Sequence, residues 1–538
     1  MDDMGLPPFP VSLFPERALP YRRVGLFFFS MPAPFPAFMV ALLVALPWLN
    51  PVATNPSPYI TPLLVAGFCL AVLVFLLAWM PTQTIGRGLG SWLASAWLFA
   101  ALVSSLVGLC QYFGEATGFA PWMSQAGPGE AVGNLRQRNH FASLTNIGLM
   151  ALVWFVATRD SNGHWRVLGV PIAALLAVAC AASSSRTGLL QLAFILAMLY
   201  WWGMWRKPGV HRLMVTAIMA YALAMLALPW MVGLDISEHG MVARLQAGDL
   251  ACAGRLTLWS NVLTLIGEKP WLGWGWGELD YAHYMTLYPG ARFCDILGNA
   301  HNLPLHLAVE LGIPFAATVC IVLSWLVWRA RPWRETDPLR QMAWAVLALI
   351  GLHSLLEYPL WYGPFQMTVG LCVYLLWMKR TGFGDRSDSP QPQGAGAGVA
   401  RHVFGVAGVI LLAAVAYGAW DYHRVSQIYR APAQRHPAYR ENTLEKISAT
   451  RLFRREAEFA ALSLTPLTPA NALQIYAQSR ELLHFSPEPR VIEKVIESAV
   501  VLGRDEEALR HLARYRAAFP LNHAKWRGAL GIAPLPVD

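Results

Sequence analysis

Residues 59–79 read YITPLLVAGFCLAVLVFLLAW, a run of twenty-one residues without a charged side chain. An α-helix of this length is about 30 Å long, which matches the thickness of the hydrocarbon core of a bilayer. A helix at the surface of a soluble protein keeps one polar face, and this segment has none. The segment therefore predicts a transmembrane helix.

Further segments share this length and composition, so the sequence predicts about eleven transmembrane helices. They lie near residues 33–50, 59–79, 91–110, 138–157, 166–184, 188–205, 213–233, 303–328, 341–360, 363–378 and 403–420. With 56% hydrophobic and only 14% charged residues over 538 positions, the composition excludes a soluble globular protein. The predicted fold class is an all-α polytopic membrane protein.

Basic residues predict the orientation, because Lys and Arg near the ends of membrane helices stay on the cytoplasmic side. They cluster in alternate connections, at 17–23, 87, 159–166, 206–212, 329–340 and 379–401, and are missing from loops 51–58 and 358–364. Residues 1–32 are therefore predicted to be a cytoplasmic segment, and residues 421–538 to lie outside. The net charge of +9 largely reflects this sidedness. It does not indicate a nucleic-acid partner, because no basic stripe alternates with exposed aromatic residues.

Two outer loops, 111–138 and 234–301, are too long to be simple connections. The second contains an amphipathic helical pattern from Arg255 to Ile266, followed by the Trp- and Gly-rich segment 270–278. It also contains Cys252 and Cys294, which can pair if the loop faces an oxidising compartment.

The last third of the chain changes in composition. Residues 381–400 are rich in Gly, Pro, Ser and Gln and predict a flexible cytoplasmic linker before the last membrane helix. After residue 420, segments 444–464, 470–483, 491–502 and 505–518 have helical periodicity with one charged face. Residues 421–538 therefore predict a repeat-like helical domain, an architecture that commonly binds other proteins.

Polar side chains gather at one end of the predicted membrane helices. Gln137, Asn139 and His140 precede one helix, and Arg186 lies between two others; His301 and Asn302 open a third, and His353, Glu357 and Tyr358 close a fourth. If these helices cross the bilayer as predicted, all of these groups face the outer side. We therefore expect a functional site there.

Two arginines on the outer side predict an anion site. Arg186 lies between two apolar segments, where a guanidinium group is retained when it pairs, reaches the interface or binds an anion. Arg255 opens the amphipathic segment. The alternative interpretations are an interfacial anchor for Arg186 and a solvated residue at a helix start for Arg255. Two guanidinium groups together can hold a diphosphate without a metal ion.

The histidines offer a candidate base. His301 lies at the interface, and imidazole is the side chain whose proton moves most easily near neutral pH. His306 and Glu310 are one helical turn apart and are expected to satisfy each other, and His353 and Glu357 have the same spacing. Two such pairs also suggest a metal site, but the chain contains no HExxH motif, so no metal ligands and no cofactor are predicted.

The order of these motifs resembles the bacterial O-antigen ligase and polymerase superfamily, and most closely its protein O-oligosaccharyltransferase branch, the pilin glycosylation ligases. The matching segments are GNLRQRNHF (133–141), SRTG (185–188), GRLTLW (254–259), PWLGWG (270–275), HN (301–302), ELG (310–312), HSLLEYPLW (353–361) and residues 508–520. Each motif alone is weak, whereas their order and shared side of the membrane make the set specific.

The resemblance implies an enzyme of the bacterial inner membrane whose transmembrane catalytic domain spans residues 33–420. It would transfer an oligosaccharide en bloc from undecaprenyl diphosphate to a Ser or Thr hydroxyl of an acceptor protein such as pilin, at the periplasmic face. His301 and Glu357 would be catalytic. The implied substrate-binding residues are Arg186, Arg255, Gln137, Tyr358, Asn302 and His140. Residues 421–538 would be periplasmic and would dock the acceptor, and membrane lipid would surround the helices.

Three alternatives stay open at this stage. Within the superfamily, the acceptor can be the lipid A core or a growing glycan, although the outer helical domain favours a protein. A transporter of lipid-linked sugars is an alternative of another class, but transporters place polar groups near the middle of the bilayer. A metal-dependent membrane hydrolase is the third alternative.

Overall fold

The computed structural model describes residues 34–159, 164–235, 240–241, 252–380 and 395–529. Helices and turns make up this part of the chain, and it contains no β-strand. The predicted cytoplasmic segment 1–32 lies outside the described residues. The same is true of 381–394 of the predicted linker, whereas 395–400 form the first turns of a helix.

The first part of the chain forms an antiparallel helical bundle. Its helices are α1 (Pro34–Leu49), α2 (Ile60–Trp79), α3 (Thr82–Tyr112), α4 (Arg138–Thr158), α5 (His164–Ala182), α6 (Arg186–Trp201) and α7 (Pro208–Met231). After the outer loop come α10 (Leu303–Leu311), α11 (Ile313–Ala330), α12 (Pro338–Ser354), α13 (Gly363–Arg380) and α14 (Ala395–Ser426). Each predicted membrane segment therefore coincides with helical structure.

Among the described residues, six helical segments are long and apolar enough to cross a membrane: Ile60–Trp79, Gly88–Tyr112, Arg138–Thr158, Pro208–Met231, Ile313–Arg334 and Arg401–Tyr429. Four shorter apolar helices lie within α1, α5, α6 and α13. The all-helical membrane fold is thus confirmed, and the number of about eleven spans stays a prediction.

Helix α4 forms the centre of the bundle. In its apolar window 89% of the residues are buried, compared with 6% for α11. Helices α3, α5, α6 and α12 pack around α4, and α14 lies along α2 at the periphery. Because α4 is enclosed on every side, Asn139 and His140 in its first turn lie inside the protein and not against lipid.

One predicted span differs from the structure. Residues 303–328 were expected to form a continuous helix, but the helix is broken at Gly312, which has a φ of +85°. The Trp- and Gly-rich segment crosses the break: the Trp274 and Gly275 amides donate to the Val309 and Glu310 carbonyls at 2.9 Å. The crossing segment supplies backbone partners where the helix ends, which is how a break in a membrane helix is tolerated.

The outer loop is ordered around two helices, α8 (Arg255–Glu268) and α9 (Leu279–Met285). The predicted amphipathic helix is therefore present as α8. Its apolar face packs against α10 in a small core that includes Leu258, Val262 and Val309. A disulfide joins Cys252 and Cys294, so the pairing that the sequence left open is made.

The C-terminal domain consists of short helices: α15 (Thr443–Ile447), α16 (Arg454–Leu464), α17 (Ala472–Leu483), α18 (Pro489–Val501), α19 (Asp505–Ala518) and α20 (Pro520–Ala529). The segment predicted as one helix, 444–464, is interrupted between α15 and α16. There the backbone amides of Arg451 and Leu452 donate to the Asp421 carboxylate at 3.0 and 2.8 Å. Side-chain acceptance of these amides replaces the helical hydrogen bonds.

Candidate active site

Three of the predicted site segments begin with a residue in the left-handed backbone region. These residues are Arg136 (φ 57°), Ser184 (φ 50°) and His301 (φ 51°), directly before α4, α6 and α10. A residue other than glycine adopts this conformation at an energetic cost of roughly 1–3 kcal/mol, so the surrounding structure must hold it in place. Such residues cluster at functional sites.

Side-chain caps start the same three helices. The Gln137 side chain accepts a hydrogen bond from the His140 amide at 2.7 Å, and Asn302 accepts one from the Leu305 amide at 3.1 Å. Ser185 caps α6 in the same way. Two residues that were predicted to bind substrate, Gln137 and Asn302, therefore use one polar atom to begin a helix.

Glu357 lies at the centre of the site, in the turn that follows α12, and its side chain is 7% exposed. One carboxylate oxygen, Oε2, lies 2.6 Å from Nδ1 of His301. The other, Oε1, accepts from the Arg255 guanidinium at 2.5 Å and from Nδ2 of Asn139 at 2.9 Å. Residues from the start of α4, the start of α8, the start of α10 and the end of α12 thus meet on one carboxylate.

The contacts with His301 and Arg255 determine the charge state of Glu357. Burial raises the pKa of this carboxyl group, but the His301 hydrogen bond and the charges of His301 and Arg255 outweigh burial and lower the pKa below its ordinary value. An ionised Glu357 accepts the proton of His301 at Nδ1. The proton-free nitrogen of the imidazole is then Nε2, which can accept a proton from a hydroxyl group.

Arg255 carries more donor groups than Glu357 uses. The contact with Glu357 is made by one terminal nitrogen, whereas a guanidinium group has five N–H donors in a planar fork. The Arg255 side chain is 26% exposed. Arg186 is the first residue of α6 and is partly buried. It follows Ser185, whose hydroxyl donates to Asn139, so Arg186 lies at the same end of the bundle as Glu357.

An aromatic wall borders the histidine. The Tyr358 ring meets the His301 ring edge to face, at 4.9 Å between centroids. The Tyr358 hydroxyl lies 3.4 Å from that of Tyr59, which comes from the loop between α1 and α2. Tyr362 packs against Tyr59 at 5.1 Å. These partly exposed phenol groups supply hydroxyl donors beside the imidazole.

His140 is placed differently from the other predicted site residues. It is only 1% exposed and packs between the rings of Tyr362, His353 and Phe365. His353 is also buried and meets the Ser143 hydroxyl at 2.8 Å through Nδ1. His353 and Glu357, whose spacing suggested a pair, are joined only through the backbone, where the Glu357 amide donates to the His353 carbonyl at 2.8 Å; the Glu357 carboxylate contacts His301 instead. This placement favours a packing role for His140.

Three segments of the chain match known protein families. The family described as O-antigen ligase matches residues 171–318, which include Arg186, Arg255 and His301. Residues 341–530 match the C-terminal part of the family described as virulence factor membrane-bound polymerase, and residues 131–155 match the family described as protein glycosylation ligase. Parts of this chain are thus similar to O-antigen ligases, membrane-bound polymerases and protein glycosylation ligases.

The names of three similar proteins agree with these matches. The chain is 28% identical over 296 residues to a general O-oligosaccharyltransferase of Acinetobacter baylyi, over 53% of this chain and 50% of that protein. It is 25% identical over 287 residues to a ComP-specific O-oligosaccharyltransferase of the same species (52% and 50%), and 26% identical over 295 residues to an O-antigen ligase of Pseudomonas aeruginosa (54% and 61%). The chain thus spans about half the length of the two oligosaccharyltransferases. The resemblance predicted from the sequence is confirmed.

The sequence analysis placed Asn139 at this end of the helices without giving it a role, and it missed Ser185 as part of the site. Both are nearly fully buried and connect Glu357 to the start of α6. Both occur in the segments that carry the family resemblance, GNLRQRNHF and SRTG. An amide directly after a predicted helix start, in a chain where polar groups in apolar segments are rare, was the signal that pointed to Asn139.

The predicted His306–Glu310 pair is close in space, but Oε2 of Glu310 has no hydrogen-bond partner among the described residues. Nε2 of His306 lies 3.5 Å from Oε2 of Glu310, and both side chains are buried. Within the described part of the chain, no three His, Cys, Asp or Glu side chains are grouped as metal ligands would be.

Proposed function

We propose that this chain is a glycosyltransferase that moves an oligosaccharide en bloc from undecaprenyl diphosphate to a Ser or Thr hydroxyl of an acceptor protein, pilin-like in kind, at the periplasmic face of the inner membrane. The observation that carries the proposal is the contact between Nδ1 of His301 and Oε2 of Glu357 at 2.6 Å, with Arg255 on the same carboxylate. This contact aligns a base directly beside a guanidinium group.

The base half of the site, which consists of His301 and Glu357, would act on the acceptor. Nε2 of His301 takes the proton of the acceptor hydroxyl while its oxygen attacks the anomeric carbon of the first sugar. Glu357 holds the imidazole through Nδ1 and stabilises the imidazolium that forms, as the carboxylate of a catalytic triad does. The bond between the anomeric carbon and the phosphate oxygen breaks, and its electron pair leaves with the diphosphate. The imidazolium returns its proton to solvent.

The anion half of the site, which consists of Arg186 and Arg255, would act on the leaving group. A diphosphate gains negative charge as its bond to the sugar breaks, and fixed cations aimed at that position lower the barrier. Arg186 and Arg255 are the guanidinium groups that we assign to the diphosphate, and Tyr358 adds a hydroxyl donor beside His301. Because fixed positive charge can serve this purpose, the mechanism needs no metal ion.

The predicted side of the membrane agrees with this chemistry. The outer loop carries the Cys252–Cys294 disulfide, and disulfides persist in oxidising compartments such as the periplasm. Exposed Arg206 and Lys207 lie between α6 and α7, and exposed Arg212 lies near the start of α7, all at the opposite end of α6 from Arg186. Basic residues at that end and a disulfide at the other support a periplasmic site.

The acceptor class rests on the relatives and on the C-terminal domain. Two of the relatives are named as oligosaccharyltransferases, and the helices of residues 421–529 offer a surface on which a protein acceptor can dock. An acceptor in the lipid A core or a growing glycan is the alternative that the O-antigen ligase relative supports. The crowding of polar groups at helix starts argues against a transporter of lipid-linked sugars.

The test is reconstituted transfer. The purified protein in lipid nanodiscs receives an undecaprenyl-diphosphate-linked oligosaccharide and, in separate reactions, a pilin-like protein, lipid A core or a free glycan. We expect a mass increase of one oligosaccharide on the protein acceptor, unchanged by a metal chelator. Modification of the lipid A core alone would assign the chain to the O-antigen ligases. Loss of activity on chelation would favour a metal-dependent enzyme, and absence of transfer to all three would overturn the proposal.

Arg186→Ala tests the anion half in the same reactions, and Arg206→Ala is the matched control because Arg206 is exposed at the opposite end of α6. Losing a charge-assisted hydrogen bond to phosphate costs about 1.5–3 kcal/mol, so we expect donor binding or transfer to fall roughly 10- to 100-fold for Arg186→Ala only. Equal activity of the two variants would make Arg186 an interfacial anchor.

A further inference from the structure

A continuous hydrogen-bond chain connects the carboxylate of the candidate site to the N-terminus of α6. Nδ2 of Asn139 donates to Oε1 of Glu357 at 2.9 Å, and Oδ1 of Asn139 accepts from the Ser185 hydroxyl at 2.6 Å. The Ser185 oxygen in turn accepts from the Gly188 amide at 3.0 Å. The next residue after Ser185 is Arg186.

The donor and the acceptor of each of these hydrogen bonds can be assigned, starting from the Gly188 amide. The Gly188 amide can only donate, so it uses a lone pair of the Ser185 oxygen and leaves the hydroxyl proton for Asn139. Oδ1 of Asn139 must then face Ser185, and its NH₂ group must face Glu357. A flipped amide would bring two acceptor oxygens to 2.9 Å inside the protein, where an unmatched polar contact is costly.

We propose that Asn139 and Ser185 are positioning residues of this site, which hold Glu357 as an oriented carboxylate acceptor for His301 and connect the base half of the site with the anion half at Arg186. Neither residue touches the reacting groups. The role in catalysis rests on the proposed transferase function, whereas the control of His301 by Asn139 stands on geometry alone.

Burial explains why the carboxylate needs this support. The Glu357 side chain is 7% exposed and Asn139 is 8% exposed, so water does not replace a lost donor easily. The charged or titratable groups that face Glu357 are Arg255 from α8, His301 from the loop before α10, His353 from α12, and Tyr358 and Tyr362 from the segment that follows α12. Asn139 is the neutral donor of the set. It therefore orients Oε1 without competing for a proton.

The same series of hydrogen bonds also explains why the base half and the anion half of the site stay together. His301 and Arg255 come from the outer loop, whereas Arg186 comes from the bundle. Asn139 belongs to α4, the most enclosed helix, and its hydrogen bonds reach both Glu357 and the cap of α6. A rigid helix thus sets the distance between the base and the first residue of α6.

The test compares Asn139→Ala, Asn139→Asp and Ser185→Ala with Asn146→Ala. Asn146 is the matched control, because it lies two turns further along α4, is equally buried, and donates to the Gly188 carbonyl at 3.0 Å without touching Glu357. All four variants lose a buried hydrogen bond to or near α6. Only the first three disturb the chain to Glu357.

In the transfer reaction we expect kcat to fall roughly 10- to 100-fold for both Asn139 variants, the effect of one hydrogen bond to a buried charge, with the donor KM within about threefold. The double variant Asn139→Ala/Ser185→Ala should be no worse than Asn139→Ala, because Ser185 acts through Asn139. Effects that add fully, or an equal loss of kcat in Asn146→Ala, would overturn the positioning role.

A second measurement does not depend on transfer. The rate at which diethyl pyrocarbonate modifies His301, followed by peptide mass spectrometry over a range of pH, reports when the imidazole loses its proton. A Glu357 carboxylate without its neutral donor attracts that proton more strongly. At each pH of the series, modification of His301 should therefore be slower in Asn139→Ala and slower still in Asn139→Asp, and stay unchanged in Asn146→Ala. Identical curves for all variants would refute the role even if no transfer substrate were found.

Discussion

At the scale of single residues, one buried carboxylate organises the candidate site. Glu357 receives His301 on one oxygen and Arg255 and Asn139 on the other. An ion pair of this kind would contribute little at an exposed position. Here it determines which nitrogen of His301 carries the proton, and so whether the imidazole can act as a base. The value of the contact lies in orientation and protonation, and not in stability alone.

Replacing Glu357 with Gln should separate these effects. The amide keeps the volume but cannot hold the imidazole proton as a carboxylate does, so we expect kcat to fall by about 10²–10⁴-fold with little change in donor KM. Glu335→Gln is the matched control, because Glu335 forms a partly buried pair with Arg340 at 2.6 Å at the opposite end of α12. Comparable losses in both variants would show a general effect of removing a paired carboxylate.

The same substitution makes a prediction about pH. The pKa of Glu357 is lowered in the folded protein, so its contribution to stability is present above the unfolded value of about 4.5 and is lost as the pH falls through the folded value. The difference in unfolding temperature between wild type and Glu357→Gln should therefore be largest near neutral pH and shrink below about pH 4.5. A difference that grows on acidification would contradict the pKa direction.

The sequence predicted the main residues of this cluster but not their partners. His301, Arg255 and Glu357 stood out because polar groups in or beside apolar segments need a reason to be there. The pairing of Glu357 with His301, and not with His353 one helical turn away, depends on how α10 approaches α12. Asn139 and Glu357 are 218 positions apart. No local pattern joins them.

At the scale of elements, the break between α10 and α11 determines the position of α10, the helix that follows His301. A Cβ atom on Gly312 would lie 2.1 Å from the Trp271 carbonyl oxygen, and its φ of +85° already disfavours any other residue. The Trp- and Gly-rich segment therefore crosses the chain at a point where only glycine fits. This crossing holds α10 against α8, and with it His301 beside Arg255.

Gly312→Ala should consequently destabilise the site. We expect a loss of roughly 2 kcal/mol or more in unfolding free energy and a corresponding loss of transfer, measured by thermal unfolding and by the reconstituted reaction. Gly267→Ala is the control, because Gly267 lies in α8 with no heavy atom near the added Cβ, and alanine there should be neutral or slightly stabilising. A Gly312→Ala protein as stable and active as Gly267→Ala would mean that the crossing does not constrain the site.

Asp280, in α9, should make the stability of the outer loop depend on pH. Burial, with a smaller contribution from Glu278 and Glu310, raises its pKa from 3.8 to about 7. The folded state therefore binds the proton more tightly than the unfolded state, and stability falls as the pH rises between these two values. Asp280→Asn should raise the unfolding temperature at pH 8, by about 2–4 °C if the gain is near 1 kcal/mol, and have little effect at pH 4. A larger gain at pH 4 would contradict this sign.

Helices were the part of the fold that the sequence predicted best. Apolar segments as long as the bilayer is thick, and the amphipathic α8, follow from periodicity and length alone. The break at Gly312 could not be predicted, since it exists only because the segment that contains Trp271 crosses there. The interruption between α15 and α16 likewise depends on Asp421, a residue more than twenty positions upstream.

At the scale of the whole molecule, the C-terminal domain is joined to the outer loop through α9. Tyr284 of α9 is 2% exposed and belongs to the hydrophobic core of the C-terminal domain, where its hydroxyl meets Nδ1 of His511 at 2.9 Å. Glu278 contacts His484 at 2.7 Å, and Arg514 donates to the Met285 carbonyl at 2.9 Å. The domain therefore stabilises the loop that carries Arg255 and His301, in addition to any docking role.

Tyr284→Ala should destabilise both the outer loop and the C-terminal domain. Truncating a buried aromatic residue costs about 3–5 kcal/mol, so we expect faster hydrogen exchange in residues 279–301 and in α18 and α19 together. Leu509→Ala is the control, because Leu509 lies on α19 but is 64% exposed. Faster exchange confined to the C-terminal domain would show that the loop holds its structure independently of that domain.

The most direct test of the central claim is a paired measurement on His301→Ala in nanodiscs: binding of the undecaprenyl-diphosphate-linked oligosaccharide, and its transfer to a pilin-like acceptor. The arginines and the aromatic wall remain in this variant, so the proposed mechanism predicts donor affinity within about threefold of wild type. Removing the base should lower transfer by at least about 10²-fold. A stably inserted His301→Ala protein that transfers the glycan at the wild-type rate would contradict the account.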